Sequence, residues 1–442
     1  MINYRSLRVA LLGGGTVGAQ VARILLEHRD ELTSRIGATL DLVGIAVRDL
    51  KAPRSADLPK ELFTTDAESL ILGSDIVIEV MGGLEPARTY ILQALNSGAD
   101  VVTANKALLA NHGPELFAAA EQVGAQLYFE AAVAGAIPII RPLRDSLAGD
   151  RVNRVMGIVN GTTNYILDAM DATGSSFDDA LAVATELGYA EADPTADVDA
   201  FDAAQKVAIL AGLAFHTHVP LDKVHREGIR SVTGQTVDFA RKAGYVVKLL
   251  AIAERVTDPD TGEEGVSARV YPALISREHP LAAVRKANNA VFVEAEAAGS
   301  LMFYGAGAGG PETASAIMGD VVSAARRHVI GGPGQAESSY ATIPVLPISH
   351  ITTRYHVTLS VADQPGALAA VANVFSTHGV SVELVEQGVL GTEAVQEAEE
   401  TTATLVIGTH AALESDLAST VTALSQLDAV RSVVSVLRIE GA

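Results

Sequence analysis

Asp202 and Lys206 close the stretch "GYAEADPTADVDAFDAAQK", residues 188–206, in which five carboxylates (Glu191, Asp193, Asp197, Asp199 and Asp202) precede a single lysine. Four residues apart on a helix, Asp202 and Lys206 share a face, so the carboxylate can hold the ammonium in place. As an exposed pair they would contribute only about 0.3 kcal/mol. The run that follows, "VAILAGLAF", is strongly apolar and argues that Lys206 enters a partly buried site. A lysine so placed is a competent proton donor to an oxygen that gains negative charge. The remaining acids lie on the loop before the helix, which Pro194 stiffens. They can bind a cationic substrate group, a metal ion or only water.

A second chemical feature stands near the N-terminus. Gly13, Gly15 and Gly18 form G-x-G-x-x-G between the apolar run "LRVALL" and a long helical pattern, with Thr16 and Val17 inside the turn. The first glycine permits a tight turn, and the second lets backbone approach a pyrophosphate. That group then sits at a helix N-terminus, where free N–H groups favour anions. The motif in this context predicts dinucleotide binding. An acid at the end of the second strand would hold the ribose of NAD, but Asp41 lies at the wrong end of that strand. Arg48 lies at the right end and suits a 2′-phosphate, which favours NADP. Asp49 beside it keeps NAD possible. Thr103 and Lys106, in "VVTANKALLANHG", stand at the C-terminal end of another strand, the edge where ligands of open α/β sheets gather.

The elements that position these residues follow from periodicity. Strands are expected at 40–47, 75–80, 100–103 and 126–130, with helices such as 85–97 and 114–123 between them. This alternation predicts a Rossmann-type, doubly wound parallel α/β sheet over residues 1–136. Residues 137–335 read as an α+β substrate and oligomerisation domain. It has a helix at 176–187, strands at 264–274 and 290–297, and a segment, 300–330, returning to the cofactor domain. Glycine, serine and proline cluster at 330–349 and predict a linker. Residues 350–442 then read strand–helix–strand, strand–helix–strand, a small separate ferredoxin-like βαββαβ unit.

Composition narrows the partners. The 442 residues carry 32 Lys+Arg and 53 Asp+Glu, a net charge of −21, which repels nucleic acid and anionic membranes. No run of about 18 apolar residues is present, so no membrane span is expected. The chain has no cysteine, which excludes disulfides and a thiolate nucleophile. Oxidation of an aldehyde to an acyl phosphate through such a nucleophile is therefore not expected. A cytoplasmic protein is expected.

The stretch from Ala184 to Lys206 resembles the signature of homoserine dehydrogenases. Ala184, Gly188, Tyr189, Ala190, Asp193, Pro194, Asp197, Val198, Asp202 and Lys206 match it, and Ala200 stands where that family has glycine. "GGGTVG", "TANK", "FEAAVAGAIPII", "NGTTNYIL" and "YGAGAGGPETASAIMGDVV" follow the family's order over the whole chain. The resemblance implies reversible NAD(P)H-dependent reduction of L-aspartate 4-semialdehyde to L-homoserine, in threonine, methionine and isoleucine biosynthesis. It implies Lys206 as proton donor and Lys106 as a second catalytic or cofactor-contacting lysine. Glu191, Asp197 and Asp202 are implied for substrate, and Gly188 and Gly307 for cofactor. Glu130, Val133, Gly135 and Ile137 are implied for a monovalent cation, sodium, bound mostly by backbone carbonyls. "VADQPGALAAVANVF" resembles the ACT domain, with Asp363, Pro365, Gly366 and Leu368 carrying the match. That implies an amino-acid effector, threonine, and a homodimer or homotetramer. Two other readings stay open: a catalytically idle amino-acid and cofactor sensor, and another amino-acid dehydrogenase on this scaffold.

Overall fold

The structure, a computed structural model, describes residues 5–52, 57–331, 341–389 and 402–441. Six parallel strands form the first sheet: β1 (Arg5–Leu12), β2 (Ala38–Ala46), β3 (Phe63–Thr64), β4 (Ile76–Glu79), β5 (Asp100–Thr103) and β6 (Leu127–Tyr128). Their order is β3-β2-β1-β4-β5-β6, with the strand order reversing beside β1. The strands are apolar on both faces because helices cover both. Leu7, Val9 and Leu11 of β1 pack with the helix Thr16–Glu27 and the returning helix Gly310–Ile330. Ala10 and Leu12 face the opposite core, with Ile91 and Leu116 of the helices Ala87–Asn96 and Lys106–Val123.

The last of these helices starts eight residues before the expected 114. Asn105 caps it, its side chain accepting from the Leu108 amide, and the helix runs on through Pro114. Strand 126–130 is shorter than expected, because Glu130–Ala132 turns into a 3-10 helix.

The second sheet is mixed. Five strands come from the middle of the chain: β7 (Val152–Ile158), β8 (His225–Arg226), β9 (Tyr245–Thr257), β10 (Glu264–Ser276) and β11 (Asn288–Ala295). β12 (Gly299–Ala306) follows as its edge. The C-terminal unit adds β13 (Thr352–Ala362), β14 (Val382–Val389), β15 (Thr402–Thr409), β16 (Ala412–Leu413) and β17 (Val430–Glu440). With the helices Ala367–Thr377 and Glu414–Ser425 it has the expected βαββαβ order, plus the short β16. Its own core gathers Val357, Leu359, Val371, Phe375, Ile407 and Leu424.

This unit is not separate from the rest. β17 pairs in parallel with β10, Ala273 opposite Arg438 and Ile275 opposite Glu440, so one sheet runs β12-β11-β7-β9-β10-β17-β13-β15-β14. The expected linker, 330–349, lies partly outside the described residues. Its described part lies along β10: the Val266 amide donates to the Pro344 carbonyl, and the Leu346 amide donates to the Val266 carbonyl.

Buried charge seals the joint. Arg269, 1% exposed, pairs with Glu254 at 2.7 Å and Glu440 at 3.6 Å, and its Nε donates to the Tyr271 hydroxyl at 2.8 Å. Tyr271 donates to Glu440 at 2.5 Å. Arg154 pairs with the same two glutamates. Arg438 reaches Glu414 at 2.6 Å within its own unit and Glu227 at 2.9 Å across the joint. Removing one partner of a buried pair strands the other in low dielectric. Arg269→Ala is therefore expected to lower unfolding free energy by about 3–5 kcal/mol, and Arg151→Ala, in the exposed pair with Glu264, by under about 1 kcal/mol. Urea unfolding of both variants measures this; equal losses would contradict the buried role of Arg269.

Candidate active site

The ammonium of Lys206 donates to Asp202 at 2.7 Å and to the carbonyl of Val159 at 2.6 Å. It lies in the helix Phe201–Phe215, which the apolar run made a core helix, and is only 9% exposed. The other oxygen of Asp202 faces Lys106 at 3.2 Å. Lys106 opens the helix that follows β5, so this contact joins the C-terminal edge of the parallel sheet to the helix of Lys206. Burial alone would raise the pKa of Asp202, but the two ammonium groups outweigh it and hold the carboxyl down to about 2.

Asp197 is the second inward acid. Its carboxylate accepts from the Asn160 amide at 2.6 Å, and the same nitrogen donates to Asp202 at 2.9 Å. Burial pushes Asp197 above the usual carboxylate range, the Asn160 hydrogen bond opposes this, and the charge of Asp202 adds to the rise. The remaining acids of the loop point elsewhere. Asp199 pairs with Arg230 at 2.7 Å, and Asp193 accepts from the Thr195 amide. Glu191 and Gly188 are exposed on the loop, outside the Lys106–Asp202–Lys206 cluster. Ala200 adopts φ 63°, ψ 20°, a left-handed conformation that suits glycine, and is fully buried. Its methyl group therefore carries strain of order 1–2 kcal/mol.

The glycine turn has the geometry its spacing predicts. Gly13 has φ 113°, and a Cβ there would meet the Val80 carbonyl at 2.8 Å. A Cβ on Gly18 would collide with the Gly13 carbonyl, which fixes how closely helix and strand approach. Gly15 has nothing within 4 Å of a Cβ position, so its backbone faces open space at the N-terminus of the helix Thr16–Glu27. Thr16 and Val17 begin that helix. These features fit a dinucleotide pyrophosphate. Arg48 is exposed beyond the end of β2, while Asp41 is spent at the far end of that strand on Ser6 and Arg29. Thr103 is wholly buried, and its hydroxyl donates to Glu79 at 2.7 Å, so its side chain is already engaged.

Two residues here escaped sequence reasoning. Glu79, 0% exposed, ends β4 and also accepts from the amides of Met81 and Gly82. Asn160 caps the helix Gly161–Thr173. A lone Glu after an apolar run gives no signal of its own, and Asn160 is recognisable only as a helix cap.

The loop 130–137 is buried and folds back on Gly307, where a Cβ on Gly135 would meet the Gly307 carbonyl at 2.5 Å. Ala134 and Gly135 have φ 59° and 58°. The Glu130 carboxylate is already used: it accepts from the amides of Ile139, Ile140 and Arg141. Only the Glu130 carbonyl remains for a cation. The carbonyls of Val133, Gly135 and Ile137 accept no backbone hydrogen bond among the described residues, which suits a monovalent ion. Asp363, Pro365, Gly366 and Leu368 sit exposed at the start of the helix Ala367–Thr377, with Gly366 at φ 95°.

Comparison with known proteins places these features together. The family model described as "Homoserine dehydrogenase" matches residues 138–322, and "Homoserine dehydrogenase, NAD binding domain" matches 13–130. The ACT domain matches 355–429. Homoserine dehydrogenases of Mycobacterium tuberculosis and Corynebacterium glutamicum are 55% and 53% identical, each over 98% of this chain and 97% and 95% of their own length. A crystal structure of a homoserine dehydrogenase from Thiobacillus denitrificans has a TM-score of 0.89 and 37% identity, covering 100% of this chain and 99% of that one. A hyperthermophilic archaeal homoserine dehydrogenase in complex with NADPH has a TM-score of 0.61 and 28% identity, covering 75% of this chain and 100% of that one.

The depressed pKa of Asp202 carries a pH dependence. A carboxyl whose folded value is depressed contributes stability above its unfolded value of about 3.9 and loses it as pH falls toward about 2. Asp202→Asn is expected to lower stability at neutral pH, because Lys206 loses its counter-ion, and to flatten the acid loss across that window. Urea unfolding at stepped pH measures both; an unchanged slope would mean Asp202 titrates normally.

Proposed function

This chain belongs to the homoserine dehydrogenase family, and from that we propose how its residues divide the reaction it catalyses. The enzyme interconverts L-aspartate 4-semialdehyde and L-homoserine with NAD(P). A bound reduced nicotinamide supplies the hydride. Lys206 donates a proton to the carbonyl oxygen as that oxygen gains negative charge, and takes it back in the reverse direction. Asp202 holds Lys206 in place and, through its second oxygen, keeps Lys106 beside the same oxygen atom. Asp197, with Glu191 once its loop approaches, takes the α-ammonium of the substrate. The observation that carries this reading is the Lys106–Asp202–Lys206 contact across the two domains.

The idle-sensor reading gives no reason for two lysines converging on one buried carboxylate. Separation from other amino-acid dehydrogenases rests on the family.

NADP is the favoured cofactor of this reading, on the exposed Arg48 just past that end of β2, with Asp49 beside it as the feature that would suit NAD. Sodium fits the carbonyls of Glu130, Val133, Gly135 and Ile137, where it would stiffen the loop that backs onto Gly307. Threonine is the proposed effector at Asp363, Pro365, Gly366 and Leu368, with its carboxylate at the helix start. Its effect would pass through the Arg438–Glu227 pair, since Arg226 donates to the Asp199 carbonyl and Ile229 to that of Val198. The open edges support a homodimer or homotetramer: β12 exposes Met302 and Tyr304, and β14 exposes Leu384 and Val385. No helix among the described residues is long and apolar enough to cross a membrane.

Homoserine oxidation followed at the nicotinamide absorbance tests the assignment. Lys206→Ala should lose about 10²–10⁴-fold in kcat with little change in cofactor affinity. Turnover within about tenfold of wild type would remove Lys206 as proton donor. In the same assay Arg48→Ser should raise KM for NADPH about tenfold or more and leave that for NADH within about twofold. An equal effect on both cofactors would make Arg48 a surface cation only.

A further inference from the structure

We propose that Asn160 is a positioning residue for this reaction, holding Asp202 and Asp197 in the arrangement that Lys206 needs; the proposal rests on Lys206 being the proton donor. Asn160 is 5% exposed and follows Val159, whose carbonyl accepts from Lys206. One turn at the end of β7 therefore grips both halves of the Lys206–Asp202 pair. The orientation of the amide is fixed. Its oxygen accepts from the Thr163 backbone amide at 2.9 Å and from the Thr163 hydroxyl at 2.9 Å. The nitrogen must then face the carboxylates, and its two hydrogens go one to Asp197 and one to Asp202.

The chemistry of that position is narrow. Two carboxylates share one donor there, and two ammonium groups, Lys206 and Lys106, face Asp202 from the other side. A cation in place of Asn160 would compete with Lys206 for Asp202. An anion would add a third negative charge to the pair. A neutral donor fixes both acids and leaves their charge to the lysines and the substrate. It also accounts for an amide where a helix cap alone would accept serine, threonine or aspartate equally well.

Asn160→Asp and Asn160→Ser both keep an oxygen that can cap the helix, and both lose the donor bridge. Each is expected to fold and to bind cofactor within about twofold of wild type, with kcat for homoserine reduced at least about tenfold. In Asn160→Asp the added charge beside Asp197, Asp202, Lys206 and Lys106 should also move the acid limb of the kcat–pH profile upward by about one unit or more. Ser176→Ala, which removes a helix cap far from the cluster, controls for lost stability and should leave kcat unchanged. Wild-type kcat and pH profile in both Asn160 variants would overturn the proposal. So would a kcat loss in both Asn160 variants that Ser176→Ala reproduces at an equally lowered melting temperature. Lys206→Ala, assayed alongside, separates the two claims. If it stays active, the proton-donor assignment falls. If it is inactive while both Asn160 variants behave as wild type, only the role of Asn160 falls.

Discussion

The buried carboxylate of Asp202, shared between Lys106 and Lys206, is the constraint on which the rest of the site depends. Taking charges out of water is costly unless each finds a partner. Lys206 could not sit 9% exposed without Asp202, and Asp202 could not stay ionised at that depth without the two lysines. The same three groups join two domains. Lys106 comes from the C-terminal edge of the parallel sheet, where a dinucleotide belongs, and Lys206 from a core helix of the substrate domain. Their contact makes the cleft between the domains a place where a donor of protons and a donor of hydride can meet one carbon–oxygen bond.

The scaffold keeps this cluster in register by long-range pairing. The helix Gly310–Ile330 returns to pack on β1. The C-terminal unit is tied to the catalytic sheet by β10–β17 pairing and by the Arg269, Glu440 and Arg438 network. From Arg438 the contacts run through Glu227 to Arg226 and Ile229, which bind the carbonyls of Asp199 and Val198, the two residues that precede the strained Ala200. A joint of buried ion pairs is rigid and directional, as a single flexible linker would not be.

Much of the dinucleotide half was legible in sequence because its signals are local. Gly13, Gly15 and Gly18 each answer to a steric demand within one turn, and apolar runs alternate with helical ones. The Asp202–Lys206 pair was legible because four residues make one helical turn. What stayed hidden depends on contacts distant in sequence. Nothing near Lys106 announces Asp202, and nothing near Ala273 announces Arg438. The long strand β9 is buried on both faces along most of its length, so no alternation of apolar and polar residues marks it, although Gly244 ends the helix before it. Pro114 points to a helix start there, because proline often opens a helix, whereas the Asn105 cap sets the true start of the helix Lys106–Val123. Ala200, which stands where the family has glycine, has the left-handed backbone that a glycine would suit. Glu191 was expected beside Asp197 from its family match, but the loop that carries it points to solvent here.

The most direct test is a crystal structure of the enzyme with oxidised nicotinamide cofactor and homoserine bound together. The Lys206 ammonium is expected within hydrogen-bonding distance of the homoserine hydroxyl, about 2.7–3.2 Å, with Asp202 still holding the lysine. A hydroxyl bound more than about 4 Å from that nitrogen, and served by another group or by water, would contradict it.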